Sequence, residues 1–358
     1  MASLALLAAA CSGSDGATES TAAPSTAAAA TTTSSPPVTT SPRSTSSTIA
    51  TTTTTVPEPV YLPLTGELVD DEADIPDRPA LVVKIDNHPR ARPQAGLNEA
   101  DIVFEENVEN LTRFAAVFHS DGSDPVGPIR SARHQDVHLL EAFETPLFAQ
   151  SGGNATVMRA VDDADLVSLT PGNSAGFYRR SGRGGAPHNL YSSTDALRTN
   201  TPDDFDVPEP VFYFLEGDDA VAGDPASVIE VAMDGVDVRW EYDARSDRYR
   251  RWQNDQVHET ELSGQVWADN VVVMSAEYRY HPLDGTPTAQ TLGTNAVAVF
   301  SGGTVQTGVW LRFQPDGPFA FFDNVEDLNE IRMEPGRTWV EIAQVDDDED
   351  DDDVLSWS

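Results

Sequence analysis

The chain has 358 residues, 59 acidic and 22 basic side chains, and a formal net charge of −37. That charge opposes binding to DNA, RNA or an anionic lipid surface, because neutralising phosphates requires clustered lysine and arginine. After residue 11 no segment approaches the ~20 apolar residues of a membrane span.

Residues 1–11 read as the remnant of a lipoprotein signal. Leu6, Leu7, Ala8, Ala9 and Ala10 run from apolar to small just before Cys11, the only cysteine. Small residues before a cysteine are what a signal peptidase accepts when it leaves that cysteine as the lipidated N-terminus. No lysine or arginine precedes Cys11, whereas a secretory signal opens with a basic region, so the expectation is a true start upstream of Met1. The implied location is extracytoplasmic, with the membrane reached through lipid on Cys11.

Residues 12–60 are mostly Ser, Thr, Ala and Pro, including the run Thr51 to Thr55. Such a tract buries too little apolar surface to offset the entropy of ordering, so it is expected to be a disordered stalk. As a flexible coil it reaches about 35–42 Å, and stiffened toward polyproline geometry on the order of 150 Å. It would hold a head away from a membrane.

The head is expected in two parts, residues 61–216 and 226–345, joined at the Gly- and Asp-rich stretch Glu216–Ala226. Ala80–Asp86 is a short apolar run, hence a strand, ending in the turn Asp86-Asn87-His88-Pro89. Asp101–Glu109 and Leu111–His119 read as two strands of a hairpin about Asn110. Asp124–Arg130 is a loop, and Ser131 is placed to cap a helix from Ala132 to about Phe143. Beyond Ala226 the pattern is mostly β, from Val228–Met233 through Asn270–Tyr280 to Thr338–Ile342. The expected class is α+β: a mixed α/β first domain with a central sheet, followed by a mostly β second domain. Residues 346–358, opening with eight consecutive acidic residues, are expected to be a solvated, disordered tail.

The strings Lys84-Ile-Asp-Asn87, Ala91-Arg-Pro-Gln-Ala-Gly-Leu97, Ala100-Asp-Ile-Val-Phe-Glu105 and Gly127-Pro-Ile-Arg-Ser-Ala-Arg133 resemble the YerB-like lipoprotein family. In the second half the resemblance is carried by Asn270-Val-Val-Val273, a Gly308-Val-Trp310 turn and Pro335-Gly-Arg-Thr-Trp339. It implies an extracytoplasmic lipoprotein built from two adjoining domains of unknown function, and supplies no activity.

Candidate site residues follow from charge placement. Between Arg78 and Arg133 seven bases face eight acids, so this region is nearly neutral within an acidic chain. Arg130 and Arg133 flank a predicted helix start, where unpaired N–H groups and the helix dipole favour an anion. Arginine adds bidentate hydrogen bonds to carboxylate or phosphate, and internal pairing with Glu105 or Glu109 is the competing use. Arg113, Asn87 and His188 complete the ligand-binding set, His188 because it follows the arginine-bearing loop Ser181-Gly-Arg-Gly-Gly185.

Glu105, Glu109 and Asp86 are the candidate catalytic carboxylates. In an extended strand Glu105 and Glu109 stand about 13 Å apart, too far for a glycosidase pair. His134 and His138 have metal-ligand spacing but lack the adjacent Glu of a zincin. They read as an ordinary histidine pair, so neither a metal nor a cofactor is expected. Trp310 and Trp339 are expected in the core. The sequence therefore suggests a cell-surface lipoprotein that binds an anionic or polar envelope component, such as a cell-wall polymer or peptidoglycan, through an arginine-bearing cleft. The alternatives are an envelope glycan hydrolase using Glu105 with Asp86 or Glu109, and a non-catalytic scaffold in a surface complex. No nucleic-acid partner is expected, and a protein partner is not named by the sequence.

Overall fold

The computed structural model describes residues 58–217, 219–345 and 354–358. Cys11, nearly all of the Ser/Thr/Pro tract and Asp346–Asp353 lie outside the described residues, as do the expectations attached to them. No helix among the described residues is long and apolar enough to cross a membrane.

Three strands open the head: β1 (Leu81–Asp86), β2 (Ile102–Asn107) and β3 (Thr112–Phe118). All their residues are buried, as expected of strands covered on both faces. β2 and β3 form the expected hairpin, with Asn110 at φ 50° in the turn. Short parallel strands β4 (Leu147–Ala149) and β5 (Val167–Leu169) extend the sheet beyond β1. Three small helices accompany them: α1 (His134–Leu140), α2 (Ala155–Asp163) and α3 (Thr194–Arg198).

The second half supplies β6 (Val228–Met233), β7 (Val236–Asp243), β8 (Arg248–Gln253), β9 (Asn270–Ala276), β10 (Gly293–Ser301), β11 (Thr304–Arg312), β12 (Thr338–Gln344) and β13 (Leu355–Trp357). β9 to β12 join the strands of the first half in one mixed sheet of order β11-β10-β9-β12-β2-β3-β1-β4-β5. The short strands Asp224–Pro225 and Ala320–Phe322 are added at β11. The junction is the parallel pairing of β12 with β2, Thr338 to Ile342 against Ile102 to Glu106. β6, β7, β8 and β13 belong to a separate antiparallel sheet.

Strand alternation divides the core. Val83, Val103, Phe114 and Trp339 face the second sheet and meet Ile229, Val231 and Trp240. Val82, Phe104, Val117 and Val340 face the other way, against Leu139, Leu140, Val157 and Val161 of the helices. Each such side chain contributes roughly 1.5–3 kcal/mol on burial. The molecule is thus strand-dominated α+β in three layers.

Four expectations differ from this structure. The first half is not an α/β unit, because its helices are short and its sheet is completed by strands from the second half. The helix begins at His134, with Arg133 rather than Ser131 at its cap. Gly308 lies inside β11, not in a turn, because a Cβ there would sit 1.9 Å from the Phe322 carbonyl oxygen of the adjoining strand. The chain end is not a tail throughout: Leu355–Trp357 pairs with Ile229–Val231, and Trp357 meets Phe300 edge-on. Trp310 and Trp339 are both in the core.

Candidate functional site

Strands β1, β2, β4, β5, β9 and β12 run in one direction. Open sheets of this kind commonly place ligands outside the carboxyl ends of the parallel strands. Asp86 ends β1 there, and Arg113, at the start of antiparallel β3, is its register partner. The loop carrying Arg130 is laced along β1 by Asp86 N–H donating to the Pro128 carbonyl at 2.9 Å and Arg130 N–H donating to the Lys84 carbonyl at 2.7 Å.

Asp86 accepts a 2.6 Å hydrogen bond from His188 Nδ1, and Arg130 Nε lies 3.5 Å from the same carboxylate oxygen. That bond fixes the His188 tautomer, and Nε2 has no protein partner among the described residues. His88 stacks on His188 with ring centroids 4.1 Å apart. Its Nδ1 accepts the Arg90 N–H, and burial, reinforced by His188, lowers its pKa.

The arginines are unevenly satisfied. Arg133 donates to Glu109 at 2.7 Å. Arg113 is 6 % exposed, donates only to the Ser131 carbonyl, and has no carboxylate within 4 Å among the described residues. Burial, then the charges of Arg133 and Arg130, push its pKa down to about 10. The terminal nitrogens of Arg130 hydrogen-bond to no described protein group, and its side chain is 24 % exposed. Buried polar atoms are ordinarily paired, and here the Nε atoms of Arg113, Arg130 and Arg133 have no hydrogen-bond partner. The result is local positive charge with incomplete compensation inside an acidic protein. The helix dipole is not part of it: α1 has seven residues, and Asp136 already accepts the Arg133 N–H at its start.

Two ionic networks lie beneath, on opposite faces of the sheet because Glu105 and Glu106 are neighbours in a strand. Lys84, the sole lysine, donates to Glu106 at 2.7 Å and Asp136 at 2.6 Å. On the other face Arg251 donates to Glu105 at 2.6 Å, while Glu105 also accepts from Thr112 at 2.6 Å. Glu341, register partner of Glu105, accepts from Trp240 Nε1 at 3.0 Å. Burial first, then the Glu105 charge, hold the Glu341 carboxyl well above its ordinary range.

Of the residues singled out from sequence, Asp86, Arg130 and His188 are in direct contact, with Arg113 and Arg133 beside them. Glu105 is fully buried against Arg251 and is not offered to solvent. Glu105 therefore does not pair with Asp86 or Glu109 as a hydrolytic couple, and Glu109 is held at the rim by Arg133. Asn87 is also fully buried, donating to Thr112 at 2.6 Å and accepting from Arg92 at 3.2 Å. His138 is exposed and lies 3.5 Å from Glu141, whereas His134 is paired with Asp284. Sequence reasoning missed His88, whose only signal was the polar turn it shares with Asp86. It also missed Arg251 as the partner of Glu105, which sequence spacing could not reveal.

Residues 64–206 match the N-terminal domain of the family described as a protein of unknown function, DUF3048, and residues 229–340 match its C-terminal domain. The chain belongs to the YerB-like family. YerB of Bacillus subtilis (strain 168), which carries a lipoprotein designation, is 27% identical over 291 residues, covering 78% of this chain and 85% of that one. The crystal structure of Bacillus subtilis YerB superposes with a TM-score of 0.70 at 25% identity, covering 84% of this chain and 99% of that structure. In this YerB-like head the two matched segments share a sheet, since β12 begins inside the second segment and pairs with β2 of the first.

Proposed function

We propose that this protein is a lipoprotein anchored through Cys11, whose head binds a polyanionic envelope component at the carboxyl edge of the central sheet. The single observation that carries the reading is Arg113: a buried guanidinium beside two other arginines, with no carboxylate within 4 Å among the described residues. A phosphate or carboxylate group would complete its hydrogen bonds and relieve the repulsion. Arg130 then reaches the same ligand from the exposed side, and His188 Nε2, left an acceptor by the Nδ1–H bond to Asp86, can take a hydroxyl donor of that ligand. The lipoprotein designation of YerB supports the anchor, and the anchor places the site where cell-wall polymers are found. A scaffold needs no arginine left unpaired, and a hydrolase built on Glu105 needs that carboxylate at the surface.

The test uses Arg113→Met and Arg130→Gln, titrated with poly(glycerol phosphate) and with muropeptides by calorimetry. Both variants are expected to weaken binding at least about tenfold, since a charge-assisted hydrogen bond contributes about 1.5–3 kcal/mol. Arg113→Met should leave thermal stability unchanged or raised, because a buried charge without a counter-ion costs stability. Unaltered affinity in both variants, or collapse of the fold in Arg113→Met, would overturn the assignment.

A further inference from the structure

A second cluster of ligating side chains forms away from the arginines. His134 opens α1, while His281 and Asp284 lie in the turn between the short strands Tyr278–Tyr280 and Pro287–Ala289. His134 Nε2 is 3.0 Å from Asp284 Oδ2, and His281 Nδ1 is 3.4 Å from Asp284 Oδ1. One ligand atom from each of the three residues lies within 4.8 Å of the others.

The spacing has a direct physical meaning. Two donors each about 2.0–2.1 Å from one ion, at angles between octahedral and tetrahedral, stand roughly 2.8–3.4 Å apart. Both carboxylate-to-imidazole separations fall in that range, one to each oxygen of Asp284, so the carboxylate can serve both imidazoles through its two oxygens. The carboxylate is also held in place by its surroundings. Oδ2 accepts from Asn154 Nδ2 at 3.0 Å and from the Thr156 hydroxyl, and Oδ1 accepts from Thr286 N–H at 3.0 Å and Oγ1 at 2.7 Å. Such supporting hydrogen bonds orient first ligands in metal sites.

We propose that His134, His281 and Asp284 bind one Zn2+-class dication, with water filling the open position. Two imidazoles and one carboxylate suit borderline transition metals, whereas oxygen-only groups such as the acidic run Asp346–Asp353 suit Ca2+ and Mg2+. The two rings stack at 3.8 Å with planes 13° apart, so one ion cannot lie in both ring planes without movement. His281 provides it: its side chain is 25 % exposed on the turn, against 9 % for His134. Capture turns the His281 ring out of the stack, and the ion takes the place of the 3.0 Å hydrogen bond between His134 and Asp284. The inference is independent of the anion site.

The experiment is a Co2+ titration of the full chain carrying Cys11→Ser, without a histidine tag and in millimolar Mg2+ and Ca2+ to saturate the acidic run. One equivalent of Co2+ should give visible ligand-field absorption that Zn2+ abolishes. His281→Ala, on an exposed turn where folding is not at stake, and Asp284→Asn should each weaken binding more than about 100-fold. Thr156→Val should cost about 10–100-fold. His138→Ala, on the same helix but outside the cluster, should bind as the parent does. Zn2+ should raise the unfolding temperature of the parent and not of His281→Ala. Absence of the absorption, its loss to Mg2+, or an unchanged titration in His281→Ala would each overturn the proposal.

Discussion

Replacing Arg251 by Met should unlock the joint between the two sheets. Arg251 is fully buried on β8, 2.6 Å from Glu105 on β2, and its guanidinium lies 5.1–5.8 Å from the ring centroids of Trp339, Trp240 and Phe114. It also donates to Gln253 at 2.9 Å, and its Nε stands 3.9 Å from Glu341. Methionine fills much of the volume but leaves the Glu105 carboxylate in a dry interior without its cation. Removing one partner of a buried pair costs about 3–5 kcal/mol. At about 2–4 °C per kcal/mol, the unfolding midpoint should fall by roughly 6–20 °C. Thr112 still donates to Glu105, which places the loss at the lower half of that range. Calorimetric or denaturant unfolding measures it, and the paired variant Arg251→Met with Glu105→Gln should recover at least half. A loss below about 1 kcal/mol, or a double variant no better than the single, would refute the view that this ion pair clamps the layers.

Three other outcomes follow from particular contacts. Burial, then Arg78 and Arg198, lower the His119 pKa to about 4, so below the unfolded value of 6.5 only the unfolded chain takes up the proton. Stability should therefore fall by on the order of 3 kcal/mol as pH drops from about 6.5 to 4, and His119→Gln should flatten the slope in that window. Gly308→Ala should cost about 1–3 kcal/mol by forcing β11 off the Phe322 carbonyl, whereas Gly172→Ala, whose new Cβ meets nothing nearer than 3.7 Å, should be nearly silent. Expressed alone, residues 61–216 should show no cooperative unfolding, because they leave the β2 edge unpaired and Glu105 without Arg251. A sharp thermal transition of that fragment would count against the shared sheet as a single folding unit.

Much of the frame was legible. Val228–Met233 matched its strand at both ends, and the hairpin around Asn110 fell where the polar turn interrupted two apolar runs. Gly308 was misread because a glycine signals a turn and a close backbone approach equally well in one dimension. The helix start was placed at Ser131 by its hydroxyl, yet Asp136 accepts the Arg133 N–H, which moves the cap two residues on.

The sequence by itself determined the acidic composition, the candidate lipid site at Cys11 with its Ser/Thr/Pro tract, the strand-rich pattern and the nearly neutral, arginine-bearing stretch from Arg78 to Arg133. Those properties are local: they depend on composition, alternation and short strings. Tertiary structure alone decided which charges are free. Strand alternation sends Glu105 to one face, where Arg251, 146 positions away, neutralises it. The same geometry leaves Arg113 buried without a carboxylate and brings His281 and Asp284 to His134. Partners contributed from distant strands have no signature in local spacing, and they separate a structural charge from one available to a ligand.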